Sequence, residues 1–328
     1  MNKFWKDMGI AFTMGFIVPS VLLSAVVSLA KDNDKAAETE PTVVWESEVQ
    51  MQSEIQQPDV PLLREDGQIV QIPMNEYLTC VVLAEMPVTF EEEALKAQAV
   101  VARTYTLRAL KGASKHTDAA VCTDASCCQS HIDVASYLEK GGKAEDVQHI
   151  RDIVQSTDGQ VLTYEGNLIE ATYFSCSGGL TEDAVAVWGA DVPYLQSVIS
   201  PGEEHATYYT DTVTFTRSEF ETGLGILLEG NPEQWVSDVI YTDGGGVDTI
   251  TICGVSFSGT QLRKLLSLRS TAFTVVPSDD SVSIHTRGYG HRVGMSQYGA
   301  DAMATSGYTY QQILAHYYQG TTLTNQLD

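Results

Sequence analysis

Positive charge is scarce in this chain. Nineteen lysines and arginines stand against 43 aspartates and glutamates, a formal net charge of −24 at pH 7. Phosphate backbones and anionic lipid surfaces are held by clustered Lys and Arg, so this balance excludes nucleic acid as a partner. The acidity itself bears on solubility and not on fold. The six cysteines contain no C-x-x-C spacing, which excludes the common zinc-finger pattern. No internal repeat is present, so a solenoid is excluded too. Long apolar runs are few. The one that stands out, Gly9 to Ala30, carries no charged side chain and is long enough to span a bilayer core. Lys3 and Lys6 precede it, which keeps the N-terminus cytoplasmic and exports the rest. A signal peptide cut after Ser28-Leu29-Ala30 is the other reading. The length of the run favours a retained anchor over residues 1–30, and both readings place the body outside the cytoplasm.

Residues 31–62 are polar and acidic, with Pro41, Pro58 and Pro61 and few large apolar side chains besides Trp45. They read as a flexible tether, with an arm docked through Val43, Val44 and Trp45 as the alternative. In Arg64–Ile72, Asp66-Gly67 between extended runs predicts a hairpin. The densest run of signals lies between Met74 and Lys111. The β-prone run Leu78–Leu83 predicts a strand that delivers Glu85 to a turn closed by Met86-Pro87. Thr89 and Glu92 have the spacing of a capping box, and Ala94, Leu95, Ala97, Val101 and Ala102 give the next helix a small apolar face. Glu85 would then be a carboxylate fixed between a strand and a helix, or else a solvated turn glutamate. Lys96 and Arg103 fall on one face of that helix, two turns apart. They are either a solvated face or, if that face lines a cleft, a pair in which Arg103 holds a substrate carboxylate or carbonyl.

His116, Cys122, Cys127, Cys128 and His131 crowd into one acidic loop. Zinc takes thiolate and imidazole in tetrahedral geometry, and His116, Cys122 and Cys128 are evenly spaced along the loop. The fourth place is open to Cys127, His131, Asp118, Asp124, water or a ligand. A disulfide from Cys122 to Cys127 or Cys128 is the alternative in an exported chain. Residues 134–154 read as helix broken at Gly141-Gly142, and 160–175 as a hairpin turning at Glu165-Gly166-Asn167. A glycine-rich loop with Ser177, Gly178 and Gly179 comes next, able to bring backbone close to a ligand or simply to turn tightly. Trp188 and Tyr194 are core aromatics or sugar-stacking platforms. Residues 208–277 read as an inserted scaffold lobe, with a helix capped by Ser218 and a hairpin around Gly254. Residues 283–300 run from a strand into a glycine-studded loop that carries His291 and then into a helix from Met295; residues 308–318 form a last amphipathic helix.

From about Leu63 onward the chain resembles the stage II sporulation protein D family, whose domain is shared with amidase-enhancer proteins. The resemblance rests on ordered motifs: YLTCVVLAEMP, ALKAQAVVARTY, FSCSGGLTEDAVAVWG, VPYLQSV and RGYGHRVGMSQYGA. It implies an α+β domain over residues 63–328, two-lobed with a central groove, behind a transmembrane helix and linker. It implies a lytic transglycosylase that cleaves peptidoglycan between N-acetylmuramic acid and N-acetylglucosamine, with Glu85 as its acid. Substrate would be bound by Lys96, Arg103, Ser177, Gly178, Gly179, Tyr194 and His291. Zinc on His116, Cys122 and Cys128 would shape the cleft. The implied setting is the mother-cell membrane during forespore engulfment, acting on peptide-free strands beside a partner amidase and a membrane protein. Two positions depart from the pattern: Arg292 stands where the family has glycine, and Gln196 where it has lysine. Arg292 would either crowd the groove or supply it with a cation. Two other classes stay open, a zinc-dependent hydrolase and a non-catalytic glycan-binding activator of an amidase.

Overall fold

The computed structural model describes residues 57–325, so the segment read as an anchor and nearly all of the tether lie outside the described residues. No helix among the described residues is long and apolar enough to cross a membrane. The chain is a mixed α+β protein with several small sheets. It opens with the expected hairpin, β1 (Val60–Leu63) antiparallel to β2 (Ile69–Ile72), with Gly67 at φ 82° in the turn. Val60 and Leu62 are fully buried, so the packed body begins inside the stretch read as tether.

The expected strand at Leu78–Leu83 is a helix, α1 (Met74–Glu85). Every side chain from Tyr77 to Leu83 is buried, so the helix is packed on all sides and has no polar stripe to betray its period. A short apolar run rich in valine is ambiguous between strand and buried helix, and here packing against the next helices decides it. Pro87 holds Met86 extended (φ −129°, ψ 142°) and so ends α1. The next helix, α2 (Glu92–Arg108), is capped by Glu91 and not by the expected Thr89, and makes no side-chain cap bond. The Glu91 N–H is taken instead by Asp301 Oδ1 at 2.8 Å, a partner far off in sequence.

β3 (Val121–Cys122) joins the first sheet parallel to β1. Helices α3 (Val134–Glu139) and α4 (Ala144–Ser156) are separated at Gly141-Gly142, as read. The hairpin β4 (Gln160–Tyr164) and β5 (Asn167–Leu168) leads to the short β6 (Tyr173–Phe174) and α5 (Ala184–Trp188). The next stretch holds β7 (Thr210–Thr216), α6 (Arg217–Leu224), β8 (Val236–Tyr241), β9 (Val247–Ile252), β10 (Val255–Ser258), α7 (Gly259–Leu265) and β11 (Phe273–Pro277). Strand β8 has no counterpart in the sequence reading, and α6 is capped by Thr216 with Glu219, two residues before the expected Ser218. The chain ends with β12 (Ser281–Arg287), β13 (Met295–Ser296), α8 (Gln297–Thr305), α9 (Tyr310–Tyr317) and β14 (Thr322–Asn325).

Among the described residues, two hydrophobic cores result. The larger is built around α2 and gathers α1, α4, α8 and α9 with β1 and β4. The smaller joins Phe220, Trp235, Ile252, Leu262, Phe273 and Ile284. Strand β12 belongs to the smaller core through the sheet order β11-β12-β7, yet β13 pairs with β6 in the larger. The glycine-rich segment 288–294 therefore runs from one core to the other, pinned by backbone bridges from Cys176 to Tyr289 and from Glu182 to Val293.

Candidate functional site

Glu85 is the last residue of α1, and its carboxylate meets three donors drawn from separate parts of the chain. The Ser130 N–H and the Tyr173 hydroxyl donate to Oε1 at 2.7 and 3.1 Å, and the Gln297 side-chain amide donates to Oε2 at 3.1 Å. Ser130 comes from the loop after Cys128, Tyr173 from β6 and Gln297 from the start of α8. Pairing of β6 with β13 sets the last two beside each other. The carboxylate faces a groove of about 720 Å³ whose walls include Tyr105, Trp188, Tyr289 and His291. Among the described residues, Lys115 is the one Lys or Arg in its lining. Aromatic faces with scattered polar groups suit a sugar chain. Burial, with Arg263 nearby, pushes the His291 imidazole down to about 4, so it is a neutral polar wall, edge-on to Phe174 and tilted against Trp188. Burial first, then the neighbouring Glu85, pushes Tyr173 well above its ordinary value, so its hydroxyl keeps its proton.

The loop that supplies Ser130 also gathers His116, Cys122, Cys127 and Cys128, whose ligand atoms all lie within 4.8 Å of one another. Cys122 is fixed by β3 pairing with β1. Asp124 O accepts the N–H groups of both Cys127 and Cys128, at 3.0 and 2.8 Å, and so turns their thiols inward. The His116 Nε2 lies 3.4 Å from Cys128 Sγ and 3.8 Å from Cys127 Sγ, and the two sulfurs are 4.0 Å apart. A tetrahedral ion with bonds of roughly 2.0–2.3 Å has ligand edges of roughly 3.5–3.8 Å. The four residues could hold one metal ion between them, with Cys127 as the candidate for the fourth place. His131 stacks on Tyr77 instead, with ring centroids 5.7 Å apart. The disulfide alternative is not realised, since all six cysteines are free thiols.

The other sequence candidates do not gather at this groove, His291 excepted. Lys96 pairs with Glu93 at 2.7 Å and Glu92 at 3.8 Å on the outer side of α2. Arg103 is wholly buried and does not line the groove. Its guanidinium donates to the carbonyls of Val154, Thr157 and Gln160, satisfying the orphan carbonyl end of α4. Ser177 and Gly178 wrap the buried Glu203, which accepts from both their N–H groups and from the Ser177 and Ser200 hydroxyls. A Cβ on Gly178 would come within 2.9 Å of the Gly288 nitrogen, so close backbone approach explains that glycine. Gly178 and Gly179 line a separate cavity of about 480 Å³. Tyr194 accepts the Glu170 N–H at 3.0 Å and so supports the groove wall from behind. Arg292 neither crowds the groove nor charges it. It is buried at φ 66°, donates to the carbonyls of Ser177, Leu180 and Gly244, and pairs with Glu182 at 3.1 Å. Gln196 closes a local turn on Val192 O at 2.9 Å. Ser130, Tyr173 and Gln297 were missed as a group. Gln297 lies inside the motif RGYGHRVGMSQYGA, but a helical Glu85 was needed to show that such distant segments meet.

Comparison with known proteins bears on the same segments. The family model for stage II sporulation protein matches residues 64–164. The stage II sporulation protein D of Bacillus subtilis (strain 168) is 40% identical over 271 residues, covering 81% of this chain and 78% of that protein. The protein of the same name from Bacillus amyloliquefaciens is 39% identical over the same shares. An amidase enhancer of Bacillus subtilis (strain 168) is 30% identical over 299 residues, 74% of this chain and 39% of the enhancer.

Proposed function

Because the chain belongs to the stage II sporulation protein D family, we propose that it is a membrane-anchored lytic transglycosylase that cleaves peptide-free peptidoglycan strands during engulfment in sporulation. The observation that carries this reading is Glu85, a carboxyl group held from three sides in the wall of an aromatic groove. The strand would lie in that groove, between two lobes. In this reading Glu85 acts as the acid, donating a proton to the glycosidic oxygen leaving the muramoyl C1. The resulting carboxylate takes the proton of the muramoyl 6-hydroxyl, whose oxygen bonds C1. The product is a 1,6-anhydro end, and no water is consumed. Trp188 and Tyr289 offer faces to the sugars, and neutral His291 offers a hydrogen-bonding edge.

A hydrolytic glycosidase normally uses two carboxyl groups. Glu170 also lines the groove, but Arg108 engages it at 3.4 Å. Zinc fits His116, Cys122, Cys127 and Cys128, and when bound would brace the loop that presents the Ser130 N–H. Four protein ligands leave no open position for an activated water, which argues against the zinc-hydrolase reading. The anchor, the mother-cell membrane facing the forespore, the partner amidase and the membrane protein belong to the same proposal. They rest on the apolar run Gly9–Ala30 and on family membership.

A second reading, a glycan-binding activator of a cell-wall amidase, is favoured by the likeness to an amidase enhancer. Mass spectrometry of peptide-free strands incubated with the full-length protein in detergent separates the readings. Anhydro-muramoyl ends are expected from the wild type and none from Glu85→Gln, which should still bind strands. Reducing ends would mean that water attacks, and binding without cleavage would move the assignment to the activator.

A further inference from the structure

A group that gives up a proton and then takes one back must be held in the same place in both charge states. The three partners of Glu85 differ in this respect. The Ser130 N–H and the Gln297 amide N–H can only donate, so neither can accept the O–H of the acid form. The Tyr173 hydroxyl can donate or accept. It has one proton and two acceptors within reach, Glu85 Oε1 at 3.1 Å and Gln129 Oε1 at 3.2 Å.

The orientation of Gln129 is set by its other end. The Thr106 hydroxyl spends its proton on the Ala102 carbonyl at 2.8 Å, so it can only accept from Gln129. The Gln129 amide N–H₂ accordingly faces Thr106 Oγ1 at 3.1 Å and the Tyr77 hydroxyl at 3.2 Å, and its carbonyl faces Tyr173. Gln129 is 2% exposed, so no bulk water competes for these bonds.

We infer that Tyr173 and Gln129 are positioning residues that hold Glu85 as both acid and carboxylate by reversing one hydrogen bond. When Glu85 is the acid, its O–H donates to Tyr173 Oη, and the Tyr173 O–H donates to Gln129 Oε1. When the proton has left for the glycosidic oxygen, its bonding electron pair stays on Glu85. The Tyr173 hydroxyl then rotates and donates to Oε1. When the 6-hydroxyl proton arrives, the rotation reverses. Tyr173 is neutral throughout, and the proton count of the relay is unchanged over a turnover. This rests on the reading of Glu85 as a proton donor that is regenerated in each cycle.

The discriminating variant is Gln129→Met, which removes the second acceptor. Tyr173 then has only Glu85 to donate to, a bias toward the carboxylate. The pH at which Glu85 loses its proton should fall by about one unit, the worth of one ordinary hydrogen bond. Adding Tyr173→Phe removes that donor, and the double variant should return upward from Gln129→Met. The readout is the carbon NMR titration of Glu85 in full-length protein labelled with ¹³C-glutamate, its signal identified by its loss in Glu85→Gln. The alkaline limb of kcat on peptide-free strands should show the same order, with KM within about twofold. A merely structural role would lower kcat equally at every pH. The other ionisable groups lining the groove are Tyr105, Lys115, Cys127, Cys128, Glu170, Tyr289 and His291. None of them hydrogen-bonds Glu85 among the described residues, and all are common to the variants compared. Superposing titrations of wild type and Gln129→Met, or a double variant below Gln129→Met, would overturn the relay. The expected order in the titrations together with strands that stay uncut would keep the relay and sink the lyase reading. Anhydro products with superposing titrations would do the reverse.

Discussion

His291 stands in the groove wall as an imidazole that resists protonation, because burial and the nearby Arg263 both act against a second positive charge. In the unfolded chain it takes a proton near its ordinary value of 6.5. The unfolded state therefore binds more protons between that pH and about 4, and stability falls as the medium is acidified through that window. The contribution is full above the upper bound and is lost progressively below it, by at most about 3 kcal/mol. In His291→Asn the decline in melting midpoint between pH 7 and 4 should be shallower than in the wild type; parallel declines would show that other groups, such as the half-buried His131, carry the effect. The same scale shows what spacing cannot tell. Lys96 and Arg103 share a helix face, yet one pairs with surface glutamates and the other caps a buried helix end, because the face rolls from solvent into the core along its length.

Apart from the two residues of β3, the stretch from His116 to Ser130 has no regular structure, and the turn at Asp124 brings its four candidate ligands together. A bound zinc would contribute to its stability directly, as in other small metal-held segments. Cys127 should count as a full ligand. Cobalt-substituted protein should give the spectrum of a tetrahedral three-thiolate site, and Cys127→Ser should lose one thiolate and weaken metal binding by more than about tenfold. An unchanged spectrum would return the fourth place to solvent. The clustering of these residues was legible because loop ligands are near in sequence. The helices with one polar face were legible for a similar reason. Helix α1 was not, since burial on every side erased the periodicity that separates helix from strand. Nor was the cap of α2, where a carboxylate from α8 takes the N–H that a local side chain would usually accept.

Over the whole molecule, the groove meets its ligand with one basic residue in its lining, against a chain of net charge −24. Binding that relies on stacking and neutral hydrogen bonds responds weakly to salt, whereas binding through many Lys or Arg contacts to anionic groups falls steeply with it. Strand affinity should change by less than about threefold between 50 and 200 mM salt; a fall of tenfold or more would point to ion pairing that the groove does not reveal. The α+β class and the order of most elements could be read from turns, caps and alternation. The meeting of residues 85, 130, 173 and 297 could not, because they come from four separate segments, two of which are joined only by the pairing of β6 with β13.

That pairing also sets a clock. Gln297, His291 and the strand that aligns them follow Glu85 by about 200 residues and are synthesised after it. Until they arrive, Glu85 lacks one of its three partners and the groove lacks a wall. A centre assembled in this way stays incomplete until the segments that follow Glu85 by about 200 residues have been made and folded.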